Sequence, residues 1–254
     1  MRFSANLGFL WNDLDLPDAI RAAKASGFSA VECHWPYKTP ASAVREALVE
    51  TGLPMLGLNT LRGDVGKGEN GLSALPGREE EARSAIDTAL AYAEDVGAGA
   101  VHVMAGYGDG EAAHKCFVSN LRYATEQAAA REMTILIEPL NRHDAPGYFL
   151  QTTDQASAIM AEVAADNLKL MFDCYHVGRT EGDVTTRLKA LRDMIGHIQF
   201  AGVPERGRPD QGELDYRCIF QFIQTLGWTQ PIGAEYKPKG PTGVTLRWMD
   251  SLVS

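Results

Sequence analysis

The sequence predicts an α/β fold, a single (β/α)8 TIM barrel over residues 1–254, and three observations predict it. Short apolar runs alternate with longer amphipathic stretches, the pattern of parallel strands joined by crossover helices. Eight such runs occur, and eight repeats in about 250 residues favour a closed barrel over an open sheet. No low-complexity linker or shift in composition divides the chain.

The first run, 3–7, leads into a helix over 17–26, with Pro17 in its first turn and Gly27 just past its end. Those are the usual start and stop residues of a helix. Strands at 30–33 and 55–59 follow. The helix over 78–96 opens on Glu79, Glu80 and Glu81, which complement the helix dipole, and stops at Gly97. The fourth strand, 100–104, precedes an Ala-rich helix over 111–132. Strands at 134–138, 168–173, 196–200 and 232–235 alternate with helices over 153–165, 184–193 and 216–226, and a last helix covers 243–252. Two loops stand out, the Gly-rich 62–76 and the segment 203–215. Both leave the C-terminal end of a strand, where barrel loops build active sites.

Composition narrows the function. Hydrophobic residues make up 45% and charged residues 22%, ordinary values for a chain that buries a large core. The net charge of −9 repels phosphate backbones, so no nucleic-acid partner is expected unless a local basic groove overrides the sign. No apolar run is long enough to span a membrane. The first residues lack the apolar segment of a signal peptide. Cys33, Cys116, Cys174 and Cys218 are scattered, without a CxxC pair, which fits reduced thiols in a cytoplasmic protein.

Four polar residues close four consecutive apolar strands: Glu138 ends TILIE, Asp173 ends LKLMFD, Gln199 ends IGHIQ and Glu235 ends PIGAE. Their spacings of 35, 26 and 36 residues are each about one βα unit. In a barrel, successive strand ends converge on one mouth. Crowded carboxylates repel and their pKa values rise, and a divalent cation removes that problem. Four oxygen ligands suit a hard ion such as Mg²⁺ or Mn²⁺. The plainer alternative is that each residue simply faces solvent.

The same residues belong to longer motifs. RFSANL at 2–7, PGREEE at 76–81, LIEPLN at 136–141, the D-x-x-H of Asp173 to His176, IGHIQ at 195–199, the RG…GELDY loop at 206–216, EYKP at 235–238 and LRW at 246–248 run nearly end to end. The chain resembles the hydroxypyruvate isomerase family of xylose isomerase-like barrels. That resemblance implies a metal site on Glu138, Asp173, Gln199 and Glu235, with Glu138 and Glu235 as the catalytic proton-transfer pair. The third position is His in related sugar epimerases, so Gln199 argues against a ketose 3-epimerase and weakens a claim for zinc. The implied reaction interconverts hydroxypyruvate and 2-hydroxy-3-oxopropanoate (tartronate semialdehyde) through a metal-supported enediolate. A 2-oxo-tetronate isomerase is the near alternative, its pocket holding one more hydroxymethylene. A metal-dependent phosphodiesterase of the endonuclease IV-like branch fits poorly with six histidines and the acidic charge.

The expected substrate is a small hydroxy-oxo carboxylic acid, so a cation should meet its carboxylate. Arg206, in the loop after the seventh strand, can hold it bidentately. Lys237 lies two residues beyond Glu235, on the same side if the strand continues. His176 can orient substrate or polarise its carbonyl. His102 reads as barrel interior, His143 as support for the Glu138 strand, and Asn6 and Asn59 as strand ends near substrate. Trp11 and Trp35 follow the first two strands and can wall the cavity or only plug the core. The glycines from Gly106 to Gly110 lack dinucleotide-binding spacing, and no Ser or Thr follows Gly66-Lys67, so neither loop reads as a nucleotide site. Exposed helix faces are compatible with a homodimer, and no residue pattern specifies one.

Overall fold

In a computed structural model, which describes residues 1–252, the predicted alternation closes into a ring. The last two positions of the domain expected over 1–254 lie outside the described residues. Eight strands carry the ring: β1 (Phe3–Asn6), β2 (Ala30–Glu32), β3 (Gly57–Asn59), β4 (Ala100–His102), β5 (Thr134–Ile137), β6 (Leu168–Asp173), β7 (Ile195–Phe200) and β8 (Ile232–Ala234). All neighbours pair in parallel, in the order β2-β1-β8-β7-β6-β5-β4-β3. The two ends of that row meet at a parallel bridge between Val31 and Met55. There the Val31 amide donates to the Pro54 carbonyl at 3.0 Å, and the Leu56 amide donates to the Val31 carbonyl at 2.8 Å.

The helices are α1 (Leu16–Ala25), α2 (Ala41–Thr51), α3 (Glu79–Val96), α4 (Gly110–Ala129), α5 (Thr153–Val163), α6 (Cys174–Thr180), α7 (Val184–Ala190), α8 (Tyr216–Thr225) and α9 (Trp248–Ser251). Two of them go beyond the sequence reading. α2 starts at Pro40 without a side-chain cap, so no N-terminal signal marks it. α6 is seven residues long and is capped by Asp173, the last residue of a strand. Two expected helices are shorter than predicted. Leu191 (φ −100°, ψ 4°) and Leu246 (φ −89°, ψ 0°) leave helical geometry. The expected helix over 184–193 therefore becomes α7 and a 3₁₀ turn, and that over 243–252 becomes a 3₁₀ turn and α9.

The main core lies between the outer faces of the strands and the helices. α8 shows how the sequence pays into it: Tyr216, Ile219, Phe220 and Ile223 are all buried, one stripe at helical spacing. Trp248 of α9 is fully buried and meets Phe3 and Phe200 edge-on, with ring centroids 4.9 and 5.3 Å away. It thereby fastens the C-terminal segment over β1 and β7. The Gly-rich loops use their glycines to approach each other. A Cβ on Gly106 would lie 2.2 Å from the Gly71 carbonyl oxygen, and both residues have positive φ.

The barrel interior is less filled. Ala100, Leu136 and Met171 form a small inner cluster, and Gly57 and Gly196 bring no side chain. A cavity of about 340 Å³ results. It runs from residues at strand starts, such as Gly99 and Thr134, up to Asn6, Glu32, His102 and Gln199 at strand ends.

Replacing Trp248 with Ala is expected to cost about 3–5 kcal/mol, read as a lower urea midpoint with native far-UV signal at zero denaturant. An unchanged midpoint would show that α9 does not anchor the ring.

Candidate active site

Parallel closure brings the four strand-end residues inward. Glu138 and Glu235 stand one position beyond β5 and β8, Asp173 ends β6, and Gln199 pairs with it directly across the β6–β7 ladder. Their exposures are 6%, 5%, 1% and 2%, so they face the interior and not solvent. Asp173 serves two environments. Its Oδ1 accepts the Tyr175 amide at 2.8 Å and caps α6, which leaves Oδ2 toward the barrel axis.

Arg206 reaches the same place from the loop after β7. Its Nη2 lies 2.5 Å from Glu235 Oε2 and 3.5 Å from Asp173 Oδ2. Phe9 and Tyr175 flank the guanidinium, with centroids 4.8 and 5.1 Å from it, a placement that strengthens cation–π attraction. Arg206 holds a left-handed backbone, φ 50°, and its carbonyl accepts the Lys237 amide at 2.7 Å. Glu235 Oε1 accepts from Asn6 Nδ2 at 3.0 Å and lies 2.8 Å from His34 Nε2.

These partners push the carboxyl groups apart. Burial raises Glu235, but Arg206 and His34 outweigh it and hold the group well below the usual carboxylate range. Burial, then the charges of Glu235 and Asp173, push Glu138 well above that range. Burial lifts Asp173 to about 7 against the pull of Arg206. Neighbouring carboxyl groups driven in opposite directions are the raw material of acid–base chemistry.

His176 is set by its neighbour. Its Nδ1 accepts the Asn141 backbone amide at 3.0 Å. Burial and then Arg206 push the ring down to about 3, so it is neutral and carries its proton on Nε2. That N–H faces Glu138 Oε1 at 3.8 Å and Asp173 Oδ2 at 3.7 Å, beyond hydrogen-bond reach. By distance alone Glu138, Asp173 and His176 form a group able to hold a metal ion, their ligand atoms within 4.8 Å of one another. A nitrogen that bears a proton has no lone pair for a metal, so the tautomer makes His176 a donor in this arrangement. Buried atoms without a hydrogen-bond partner among the described residues include Glu138 Oε1, Asp173 Oδ2, Gln199 Oε1 and His176 Nε2. Three oxygens with free lone pairs fit a hard cation.

Not every expected residue joins the group. Lys237 is exposed and lines a separate cleft with Arg208 and Lys239. β8 ends at Ala234, so strand alternation does not extend to Lys237, and its backbone serves the Arg206 loop instead. His143 is exposed, with its amide on Asn141 Oδ1 at 3.0 Å. His102 is buried, Nδ1 3.7 Å from Glu138 Oε2. Asn59 borders the axial cavity. Trp11 is buried in the core, and the Trp35 indole donates to the Thr60 carbonyl at 3.1 Å. The sequence reading missed His34, Glu32 and His197. Glu32 carries the same signal as the four, a polar residue closing an apolar run, hidden because the run was extended to Cys33.

The family model of the xylose isomerase-like TIM barrel matches residues 20–252. A 2-oxo-tetronate isomerase of Cupriavidus necator is 46% identical over 252 residues, covering 98% of this chain and 97% of that protein. Hydroxypyruvate isomerase of Escherichia coli is 36% identical over 254 residues, covering 98% of each. The chain belongs to the hydroxypyruvate isomerase family of xylose isomerase-like barrels. A crystal structure of a Brucella melitensis protein described as AP endonuclease, family 2, is similar at a TM-score of 0.95 and 34% identity, covering 98% of each chain. Family membership fits the motifs that close β5, β7 and β8. Among the described residues no helix is long and apolar enough to cross a membrane.

In metal-free protein, Arg206→Met leaves Glu235 and Asp173 without their shared guanidinium. The expected loss of stability at neutral pH is about 3–5 kcal/mol, measured by chemical denaturation. An unchanged stability would mean that the two acids do not depend on Arg206 for their charge.

Proposed function

We propose that the chain is an aldose–ketose-type isomerase that interconverts hydroxypyruvate and 2-hydroxy-3-oxopropanoate. One observation carries this reading: two buried glutamates from different strand ends, Glu138 and Glu235, are driven to opposite protonation tendencies beside Arg206 and a neutral His176. Moving a carbonyl between adjacent carbons requires a base at one carbon, an acid at the other and charge stabilisation for the enediolate. Glu235, the ionised member, takes the C3 proton. Glu138, the protonated member, returns a proton to C2, while the O3 hydroxyl proton passes to O2. The two glutamates end with exchanged protonation and reset through solvent. His176 Nε2–H donates to the oxygen that carries the enediolate charge. Arg206 uses donors left over from Glu235 to hold the substrate carboxylate.

Glu138, once its proton has passed to C2, together with Asp173, Gln199 and Glu235 would hold a divalent cation, Mg²⁺ or Mn²⁺. The unpartnered oxygens on the first three support that set, and an all-oxygen donor set favours these ions over zinc. When bound, the cation supplies positive charge against the enediolate oxygens.

A second reading is favoured by the 46% identity to the Cupriavidus necator 2-oxo-tetronate isomerase. The chemistry at C2 and C3 is the same, and the pocket holds one more hydroxymethylene. Phosphodiester cleavage, suggested by the description of the Brucella protein, has less support. The net charge is −9 and the carboxylates are buried, a poor surface for a polyanion.

The test incubates the protein separately with hydroxypyruvate and 2-oxo-tetronate in D₂O and follows product and deuterium uptake by NMR. Faster turnover of hydroxypyruvate supports the first reading, and faster turnover of 2-oxo-tetronate replaces it with the second. Glu138→Gln and Glu235→Gln are each expected to lower exchange by about 10²–10⁴-fold. Wild-type exchange in both variants sinks the assignment. Chelation should abolish turnover, and Mn²⁺ or Mg²⁺ should restore it; full activity after exhaustive chelation would remove the cation from the scheme.

A further inference from the structure

Below the four strand-end residues lies a second polar layer that the proposed chemistry does not use. Glu32, the last residue of β2, is 4% exposed. Four donors converge on its carboxylate. Oε2 accepts from Ser4 Oγ at 3.0 Å and lies 2.6 Å from His197 Nε2. Oε1 accepts from Asn6 Nδ2 at 3.1 Å and from Gln199 Nε2 at 2.7 Å. An ionised carboxylate only accepts hydrogen bonds. Glu32 therefore captures the NH₂ end of the Gln199 amide and forces the oxygen to the opposite side. That oxygen is the buried Gln199 Oε1 without a partner among the described residues.

Asn6 is fixed in the same way. Its Oδ1 accepts the Gly8 amide at 2.9 Å, so its NH₂ must face the carboxylates, where it bridges Glu32 Oε1 and Glu235 Oε1. Gly233 makes room for the arrangement. A Cβ there would sit 2.5 Å from Glu32 Oε1 and 2.8 Å from Gln199 Cγ.

We propose that Glu32 is a positioning residue that orients the Gln199 amide oxygen, and through Asn6 the Glu235 carboxylate, for holding a divalent cation. This rests on the reading that Gln199 and Glu235 belong to the cation site. Groups that orient ligands from behind change metal affinity by about 10–100-fold when removed.

Glu32→Gln replaces a pure acceptor with a group that also donates, so the Gln199 amide is free to turn over. Glu32→Asp keeps the charge opposite His197 but withdraws the carboxylate by one methylene, and it serves if the first variant does not fold. Two measurements on purified, metal-free protein are needed. One is Mn²⁺ affinity by electron paramagnetic resonance. The other is the side-chain amide resonance of Gln199 in ¹⁵N-labelled protein, assigned by its loss in Gln199→Met. In the wild type the Gln199 NH₂ protons should exchange slowly with solvent. In the folded Glu32 variant they should exchange rapidly, and Mn²⁺ should bind about 10–100-fold more weakly. Unprotected Gln199 protons in the wild type, or protection and Mn²⁺ affinity unchanged in the variant, overturn the proposal. If the wild type binds no Mn²⁺, the cation reading fails, and amide protection alone decides whether Glu32 orients Gln199.

Discussion

Negative charge removed from water is the constraint around which the interior is arranged. Glu32, Glu138, Asp173 and Glu235 are each at most 6% exposed, and buried carboxylates persist only with partners. Each finds a different kind. Glu235 has Arg206, His34 and Asn6. Glu32 has His197 and three neutral donors. Asp173 has the first turn of α6 on one oxygen and Arg206 near the other. Glu138 has two imidazole nitrogens at 3.7 and 3.8 Å, too far for hydrogen bonds, and burial accordingly drives it toward its neutral form.

The barrel makes this crowding feasible because its axis is sparsely filled. Gly57, Gly196 and Gly233 contribute no side chains where other barrels pack branched residues. The space admits long polar side chains from opposite strands, and Glu32 of β2 can touch Gln199 of β7 across the axis. The outer core, by contrast, is conventional in its helical stripes and aromatic contacts.

Much of this was legible in the sequence. All eight strands were located, because a parallel strand buried on both faces reads as a short apolar run. The four inward residues were legible because each breaks such a run at or next to its C-terminal end, Gln199 one residue before the end of β7. What escaped was whatever the strand pattern does not encode. α6 follows β6 without a break, so no turn residue announced it. Lys237 was placed by alternation that stops three residues earlier, at Ala234. His34 and Asn141 act from loops, where side-chain direction depends on the fold and not on periodicity. Which ring nitrogen of His176 carries the proton is set by the Asn141 amide on Nδ1, a contact that the strand pattern does not encode.

Asp173 joins two kinds of dependence in one side chain. One oxygen caps a helix and the other lies near Arg206 inside the barrel, so the usual alanine replacement would confound local unfolding with a lost interior charge. Asparagine caps helices about as well as aspartate while discarding the negative charge. The pair of substitutions therefore splits architecture from electrostatics at a single codon. A lineage drifting away from this activity could keep its shape by taking the same route.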